Sequence, residues 1–335
     1  MASRRVWILA LLLTSSITSM QAQTTVVHAF LWSPKTHKMQ DLGTLGANSY
    51  ALSINNAGQV TGFYFDFLGN VRGFVWTSTA GMKDIGTLGG TEGYGSSITS
   101  KGRVAGWATN ATGAAHASVW TGAAGMKDLG TLGGSSSTAA AISDSGAVAG
   151  SSKLPYDFVT VAFLWTAKNG MHGLGNLGSG NSYGYAVNAA GTVVGASPLN
   201  TTLTPNHAFL QREGESITDI GTLGGDDSTA LGINDAEQVV GWSWLPGGSP
   251  FHAFLWTQAG GMEDLGTLGG QNSAAEAINR VGQIVGLSER TDGTTHAALW
   301  TGANQIKDLG TLGGTYATAQ SINDVGYVVG WSYLP

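Results

Sequence analysis

The sequence predicts an all-β protein, a seven-bladed β-propeller of four-stranded antiparallel blades whose closing blade is shared by the N- and C-terminal strands. Three observations lead to this prediction. Three sequence landmarks each occur seven times, at steps of 43 to 46 residues. Each repeat contains four short strand-like pieces, the content of one propeller blade. The chain begins its first repeat at the third of these pieces and ends its last repeat after the second.

The landmarks follow one another in a fixed order along the chain. The first reads HAFLW and starts at His28, Arg72, His116, Val161, His207, His252 and His296. The second reads DLGTLGG and starts at Asp41, Asp84, Asp128, Gly173, Asp219, Asp264 and Asp308. The third reads INxxGQVVG and starts at Ile54, Ile98, Ile142, Val187, Ile233, Ile278 and Ile322. Chance does not produce such regularity, so the repeat is the structural unit.

These motifs resemble the HAF repeat of bacterial extracellular proteins, which is named for the His-Ala-Phe seen at residues 28–30 and in later copies. The DLGTLGG and INxxGQVVG segments match as well, and the resemblance covers the whole chain after the leader. It implies export. The family carries no established activity, so the resemblance supplies no catalytic residues.

The four pieces of a repeat are called strands A to D. In the sixth repeat, strand A is SAAEAI (273–278), strand B is QIVGLS (283–288), strand C is HAALW (296–300) and strand D is KDLGTL (307–312). Each is short, rich in β-branched or aromatic residues, and bounded by Gly, Asn or Asp. Strand A has small residues at alternate positions, such as Ser49, Ala51 and Ser53, which period two would place on one face where blades crowd.

Ring closure is favoured over an open stack because an open array leaves sheet edges and an apolar end that needs a cap. If the TLGG stretch links blades, the closing blade takes its inner strands from the C-terminus and its outer strands from the N-terminus. The alternative phase gives seven unshared blades. We predict the first of these two phases.

Residues 1–22 are predicted to be a secretory signal peptide, and residues 23–335 a single propeller domain. Arg4 and Arg5 precede the apolar run 6–13, which is shorter than the roughly 20 residues that span a bilayer. We place cleavage after Ala22; an uncleaved anchor is the alternative. No later apolar run reaches membrane length, so no membrane association is expected after cleavage, and the protein is predicted to be secreted or periplasmic.

Composition argues against several classes of function. Loss of Arg4 and Arg5 with the leader moves the formal charge from −6 to −8, which disfavours nucleic acid as a partner. The chain has no Cys and therefore neither disulfides nor a thiol nucleophile. It contains no G-x-S-x-G, phosphate-loop or H-E-x-x-H motif, and we predict no cofactor.

The repeated His and Asp residues are predicted to be structural. Five of the seven His begin strand C, two strand spacings, or about 10 Å, from the innermost strand. Copies in different blades therefore cannot converge on one metal ion at about 2 Å. The Asp of DLGTLGG lies on the outermost strand, too far from its copies to form a catalytic carboxylate pair, and is expected to bond backbone or the nearby His.

Differences between repeats indicate where a ligand would bind. Insertions gather in the loop between strands B and C, which is rich in aromatic residues, and insertions on one face of a repeat array often mark its binding face. The candidates there are Trp107, Trp242, Trp244, Trp331, Tyr64, Tyr156 and Tyr333. The alternative is that several of them cover the core.

The middle of strand A is a second variable position. It reads Leu52, Ser96, Ala140, Tyr185, Leu231, Glu276 and Gln320. If this position faces the channel, Tyr185, Glu276 and Gln320 would contact a small ligand.

The function predicted is a secreted, non-catalytic binding or scaffold propeller, a monomer that presents the B–C loop face to an extracellular glycan or a partner protein. One alternative is a channel-centred polysaccharide lyase or hydrolase, which rests on fold analogy alone. The other is a purely structural protein of the envelope or matrix.

Overall fold

Seven four-stranded antiparallel sheets, arranged as the blades of a propeller, account for the strands of the protein. The computed structural model describes residues 26–178, 180–199 and 205–335, which form 28 strands. The predicted all-β class, the seven blades and the four-stranded antiparallel sheets are confirmed. The signal peptide and its cleavage point lie outside the described residues. The described ranges contain no helix long and apolar enough to cross a membrane.

Strands occupy the same four positions in every blade. Strand A comprises β3 (Ser49–Ile54), β7 (Gly89–Ile98), β11 (Ser137–Ile142), β15 (Tyr183–Val187), β19 (Ser228–Ile233), β23 (Gly269–Ile278) and β27 (Ala317–Ile322). Strand B comprises β4 (Val60–Phe65), β8 (Val104–Asn110), β12 (Val148–Lys153), β16 (Val193–Pro198), β20 (Val239–Trp244), β24 (Ile284–Arg290) and β28 (Val328–Tyr333). Neighbouring blades touch through their A strands, which therefore surround the axis.

The outer half of each blade holds strands C and D. Strand C comprises β1 (Val27–Ser33), β5 (Val71–Thr77), β9 (Ala115–Thr121), β13 (Thr160–Thr166), β17 (Asn206–Gln211), β21 (Phe251–Thr257) and β25 (Thr295–Trp300). Strand D comprises β2 (Lys38–Asp41), β6 (Gly81–Asp84), β10 (Gly125–Asp128), β14 (Gly170–Gly173), β18 (Thr218–Asp219), β22 (Gly261–Asp264) and β26 (Ile306–Gly310). Blades 1 to 6 each use four consecutive strands, starting with β3–β6.

Blade 7 joins the two ends of the chain. Its order is β27-β28-β1-β2, so the inner strands are C-terminal and the outer strands N-terminal. β1 pairs with β28 along six residues, from Val27↔Tyr333 to Trp32↔Val328. Beyond this pairing, the amide of Leu334 donates to the carbonyl of Val26 at 3.0 Å. The shared closing blade is confirmed, and the phase with seven unshared blades is wrong.

The hydrophobic core lies between blades. Phe254 of blade 5 packs with Val194 and Leu210 of blade 4, and it is fully buried. Phe30 of blade 7 packs in the same way against Val285 and Leu299 of blade 6. The Phe of HAFLW is thus the anchor of an inter-blade seam, as the alternation along strand C indicates. Removing one such buried ring costs about 3–5 kcal/mol.

Buried polar side chains also connect adjacent blades. The Ser that opens strand A accepts from the Ala amide of HAF in the preceding blade, as Ser49 does from Ala29 at 3.0 Å. The Asn of INxxG donates to the carbonyl of its counterpart in the next blade, as Asn279 does to Asn323 at 3.1 Å. Five junctions have this amide bond; the other two have Thr99 or Ser143 in place of Asn.

Candidate functional site

Each innermost strand carries a β-bulge at the same place. In blade 6, Ala275 pairs with Gly286 and Ala277 with Val285, so Glu276 between them has no partner on strand B. The same gap occurs in all seven blades. The residues skipped are the variable ones of strand A, here called the bulge ring: Leu52, Ser96, Ala140, Tyr185, Leu231, Glu276 and Gln320. A bulge redirects one side chain without ending the sheet.

The last Gly of the VVG motif makes the bulge possible. A Cβ built on Gly62 would overlap the carbonyl oxygen of Tyr50, and one on Gly241 would overlap that of Thr229. Every blade repeats this overlap, because the bulge pushes a strand A carbonyl into the space that a side chain on strand B would need. The bulge therefore requires Gly at this position of strand B.

All seven residues of the bulge ring line one cavity on the propeller axis, with a volume of about 770 Å³. Residues at the edges of the B–C loops, including Lys153, Asn206 and Phe251, line its outer part, so it faces the B–C side. A volume of this order holds a small ligand or the end of a larger one. The opposite mouth is formed by the A–B turns and encloses about 220 Å³.

Three polar atoms in the cavity wall lack a hydrogen-bonding partner among the residues that the structure describes. They are Nε1 of Trp107, Nε1 of Trp242 and Oε1 of Glu276, each shielded from solvent by neighbouring atoms. Buried polar groups are satisfied in the large majority of cases, and each exception needs a physical reason. Two indole donors and one carboxyl oxygen without partners therefore lie just beneath the surface of one cavity.

Burial perturbs the ionisable groups of this wall. Desolvation raises the pKa of Glu276 to about 8, because no cation lies near enough to stabilise its charged form. Burial also raises the pKa of Tyr185 well above its ordinary value. Asp227, a second carboxylate of the wall, has its pKa raised by desolvation although its Oδ1 accepts from the Asn206 amide at 2.6 Å.

A row of aromatic rings supports one side of the cavity. Tyr316 stacks on Trp331, whose edge meets Tyr50 at a centroid distance of 5.4 Å. The row continues from Tyr50 to Phe63, Tyr94 and Trp107, with stacked rings 4.5 to 5.8 Å apart. Only Tyr94 and Trp107 of this row reach the cavity wall. Trp331 belongs to the row, and Tyr333 packs against it with a centroid distance of 5.4 Å to Tyr316. Neither residue lies in the cavity wall.

The structure brings six of the ten sequence candidates together. Those that line the cavity are Trp107, Trp242, Trp244, Tyr185, Glu276 and Gln320. The other four are Trp331 and Tyr333, already described, and Tyr64 and Tyr156.

Tyr64 and Tyr156 occupy opposite environments. Tyr64 is buried between blades, and its hydroxyl donates to Asp84 at 2.8 Å. It covers the core, the alternative raised from the sequence, and the prediction of a surface role is wrong for it. Tyr156 is 87% exposed in the B–C loop of blade 3, outside the cavity wall.

Sequence reasoning missed several residues of the wall, namely Tyr94, Lys153, Tyr183, Asp227 and Phe251. Tyr94 and Tyr183 lie on strand A two residues before the bulge. The available signal was an aromatic ring at a position that is Thr or Ala in four of the other blades, although blade 1 has Tyr50 there. Asp227 directly precedes strand A of blade 5, and Phe251 is the first residue of strand C in the same blade. Both reach the wall through the packing of neighbouring blades, which the sequence does not show.

Comparisons with known proteins agree with the fold. No protein-family model matches the chain, and no curated protein matches it. Among solved structures, a protein from Agrobacterium tumefaciens assigned as TolB matches with 14% identity and a TM-score of 0.56, covering 93% of this chain and 99% of that one. The β-propeller domain of the Trilobed protease from Pyrococcus furiosus matches with 11% identity and a TM-score of 0.51, covering 83% of this chain and 86% of that one.

An acylaminoacyl peptidase from Pyrococcus horikoshii matches with 12% identity and a TM-score of 0.55. The match covers 82% of this chain but only 48% of the peptidase chain. These proteins share the fold. Identities this low carry no function across.

The His of HAFLW is engaged by the Asp of DLGTLGG in five of the seven blades. Nδ1 of His252 lies 2.8 Å from Oδ2 of Asp264, and four other His–Asp pairs have the same arrangement. The Asp also accepts from the amide two residues later, as Asp264 does from Gly266 at 2.8 Å. The predicted structural role, a bond between the repeated Asp and the nearby His, is confirmed. Within the described ranges, no three His, Asp or Glu residues are grouped to hold a metal ion.

Proposed function

We propose that the protein is an exported, non-catalytic binding propeller that receives part of an extracellular glycan in the axial cavity on its B–C side. The observation that carries the proposal is the bulge ring. Seven similar blades each place the skipped residue of strand A in the cavity wall, and this residue differs among the blades. A purely structural repeat would have no reason to vary this position. Its variation therefore supports a recognition surface.

The chemistry of the wall favours a glycan over a flat protein surface. Trp107 and Trp242 of the wall have indole N–H groups without a partner, just beneath its surface. Tyr183 and Tyr185 of the same wall stack on each other with ring centroids 6.4 Å apart. Aromatic planes suit the apolar faces of sugar rings, and the donors suit their hydroxyl and ring oxygens. A narrow cavity admits a chain end or side branch more readily than a folded partner.

Export and membership of the HAF-repeat family belong to the same proposal. They rest on the leader sequence, with Arg4, Arg5 and the apolar run that follows, and on the repeated motifs. Fractionation of expressing cells, with N-terminal sequencing of the released protein, tests them. A mature N-terminus at residue 23 supports export, and retention of the intact leader in the cytoplasm overturns it.

A glycan array probed with the mature protein tests the binding function. We expect selected glycans to bind and their binding to fall at least tenfold in Trp242→Ala and in Trp107→Ala. Tyr156→Ala, which changes an exposed aromatic residue outside the cavity, is the matched control and should bind normally. Binding that is unchanged in both Trp variants, or lost in the control alone, would remove the cavity from the account. A protein partner that binds both Trp variants normally would replace the glycan.

The alternative of a channel-centred lyase or hydrolase has one observation in its favour, the two carboxyl groups of Glu276 and Asp227 in the same wall. Both have raised pKa values, as a general acid requires. Incubation of each bound glycan with the protein, followed by analysis of chain length, decides between the two. Shortened chains whose appearance depends on Glu276 would replace the binding function with catalysis.

A further inference from the structure

Glu276 is the one carboxylic acid of the bulge ring. Oε1 of Glu276 has no protein partner and is closed off from solvent. Ala274, two residues earlier on the same strand, belongs to a cluster with Trp242, Trp244, Phe251 and Tyr316. Trp242, Trp244 and Phe251 also line the cavity together with Glu276, so the carboxyl group shares its wall with aromatic rings near the junction of blades 5 and 6.

Carboxyl groups outnumber cationic side chains in the cavity wall. Asp227 is a second carboxyl group of the wall. The described wall contains one cationic side chain, Lys153, and its Nζ is 3.7 Å from Oδ2 of Asp157. The faces of Trp and Tyr rings carry negative potential and attract cations. Carboxyl groups and aromatic faces in one concavity are the combination that binds an ammonium group.

From these observations, and resting on the proposed glycan-binding function, we propose that the cavity recognises a glycan with free amino groups, a polymer or oligomer of de-N-acetylated amino sugar, whose ammonium group binds the carboxylate of Glu276. The indole N–H groups of Trp107 and Trp242 then meet hydroxyl or ring oxygens of the same ligand. An N-acetylated sugar lacks the cation and brings an amide whose bulk the ammonium does not have.

The ionisation of Glu276 provides an independent signature. With its pKa raised to about 8, the group holds a proton at pH 6 in the free protein. Pairing with a ligand ammonium favours the carboxylate, so binding at pH 6 should release close to one proton per ligand. A neutral ligand that hydrogen-bonds the protonated carboxyl releases none.

Isothermal titration of the mature protein with glucosamine tetramer and with N-acetylglucosamine tetramer tests the inference. At pH 6, in two buffers of different ionisation enthalpy, we expect the glucosamine tetramer to bind at least tenfold more tightly and to release about one proton. Glu276→Gln should reduce its affinity at least tenfold and abolish proton release. Glu263→Gln, the same change at an exposed position of strand D outside the cavity wall, is the matched control and should preserve both.

The possible failures are distinguishable. Equal affinity for the two tetramers, or unchanged binding and proton release in Glu276→Gln, overturns the inference. If N-acetylated or neutral glycans bind in a manner that depends on Trp107 and Trp242 while the glucosamine tetramer does not, the inference fails and the proposed function stands. If no glycan of the array binds in that manner, the proposed function fails.

Discussion

Glu276 is a carboxyl group whose Oε1 the fold shields from water. Its pKa is raised to about 8, so between its ordinary value of 4.5 and pH 8 the unfolded chain loses this proton before the folded protein does. The contribution of Glu276 to stability is therefore most favourable below pH 4.5 and is progressively lost as the pH rises to 8. Glu276 therefore reduces the stability of the protein in alkaline solution. The role proposed for it is ligand binding.

We expect Glu276→Gln to stabilise the protein at pH 9, by roughly 2–4 kcal/mol relative to the effect of the same change at pH 4. Urea unfolding of the wild type and the variant at both pH values measures this difference. Glu263→Gln, at an exposed position of strand D, serves as the control and should give little difference. An effect of Glu276→Gln that is independent of pH would contradict the burial described for this group.

In five blades, a His–Asp pair links the two outer strands to one another. Blade 1 has Arg72 in place of His, and its Nε and Nη2 each lie 2.9 Å from an oxygen of Asp84. The same carboxylate accepts from the hydroxyl of Tyr64. Arg therefore performs the role of His at this position, and Tyr64 belongs to the same cluster.

From this substitution within the chain itself, we expect His252→Arg to be tolerated within about 1 kcal/mol, because Arg reaches the same carboxylate. His252→Ala should cost about 1–2 kcal/mol, since it leaves Asp264 without its side-chain donor. Thermal unfolding of the two variants makes the comparison. Equal losses in Arg and Ala variants would show that the pairing contributes nothing beyond packing.

At the level of strands, the bulge is the feature that places a variable side chain of each blade in the cavity wall. Alternation along strand A predicts Ser49, Ala51 and Ser53 on one face. The bulge between Ala51 and Ser53 breaks that alternation, so Ser53 lines the cavity while Ser49 and Ala51 are buried between blades. The sequence identified the variable position but not its direction, because a bulge depends on the register of two paired strands.

The Gly of VVG offers a test of this device. We expect Gly241→Ala to lower the free energy of unfolding by about 3 kcal/mol or more, because its Cβ would overlap the carbonyl oxygen of Thr229 and force the strands apart. Gly122→Ala is the matched control, since the nearest atom to a Cβ there is 3.7 Å away. Chemical unfolding of both variants provides the measurement. A Gly241 variant as stable as the control would show that the bulge is not tied to this Gly.

For the molecule as a whole, seven equal repeats close into a ring through one shared blade. Sequence length, repeat phase and the missing strands at each end were enough to predict this arrangement. The cavity was not predictable in the same way. Its wall combines residues from all seven blades, such as Trp107 and Asp227, which lie far apart in the chain and meet only after closure.

Closure also predicts how the chain tolerates new ends. A circular permutant that links residue 335 to residue 26 and opens the exposed turn at residues 292–293 should fold with nearly native stability, because Leu334 and Val26 are already hydrogen-bonded. A chain truncated after residue 314 loses β27 and β28, which exposes the edge of β1, and should unfold without a cooperative transition. Circular dichroism during heating compares them. A cooperative truncated chain would contradict the dependence of the fold on the shared blade.

The central claim is that ligand recognition takes place on the axis, among the side chains of the bulge ring. The most direct measurement is the affinity of an array-selected glycan for Ala140→Trp, which places a large ring in the cavity from a position that carries a small side chain. Phe158→Ser, at a side chain that is 88% exposed on a B–C loop, is the control for the outer face. Provided that both variants melt like the wild type, the account predicts at least a tenfold loss of affinity in Ala140→Trp and none in Phe158→Ser. Unchanged binding in Ala140→Trp would contradict it.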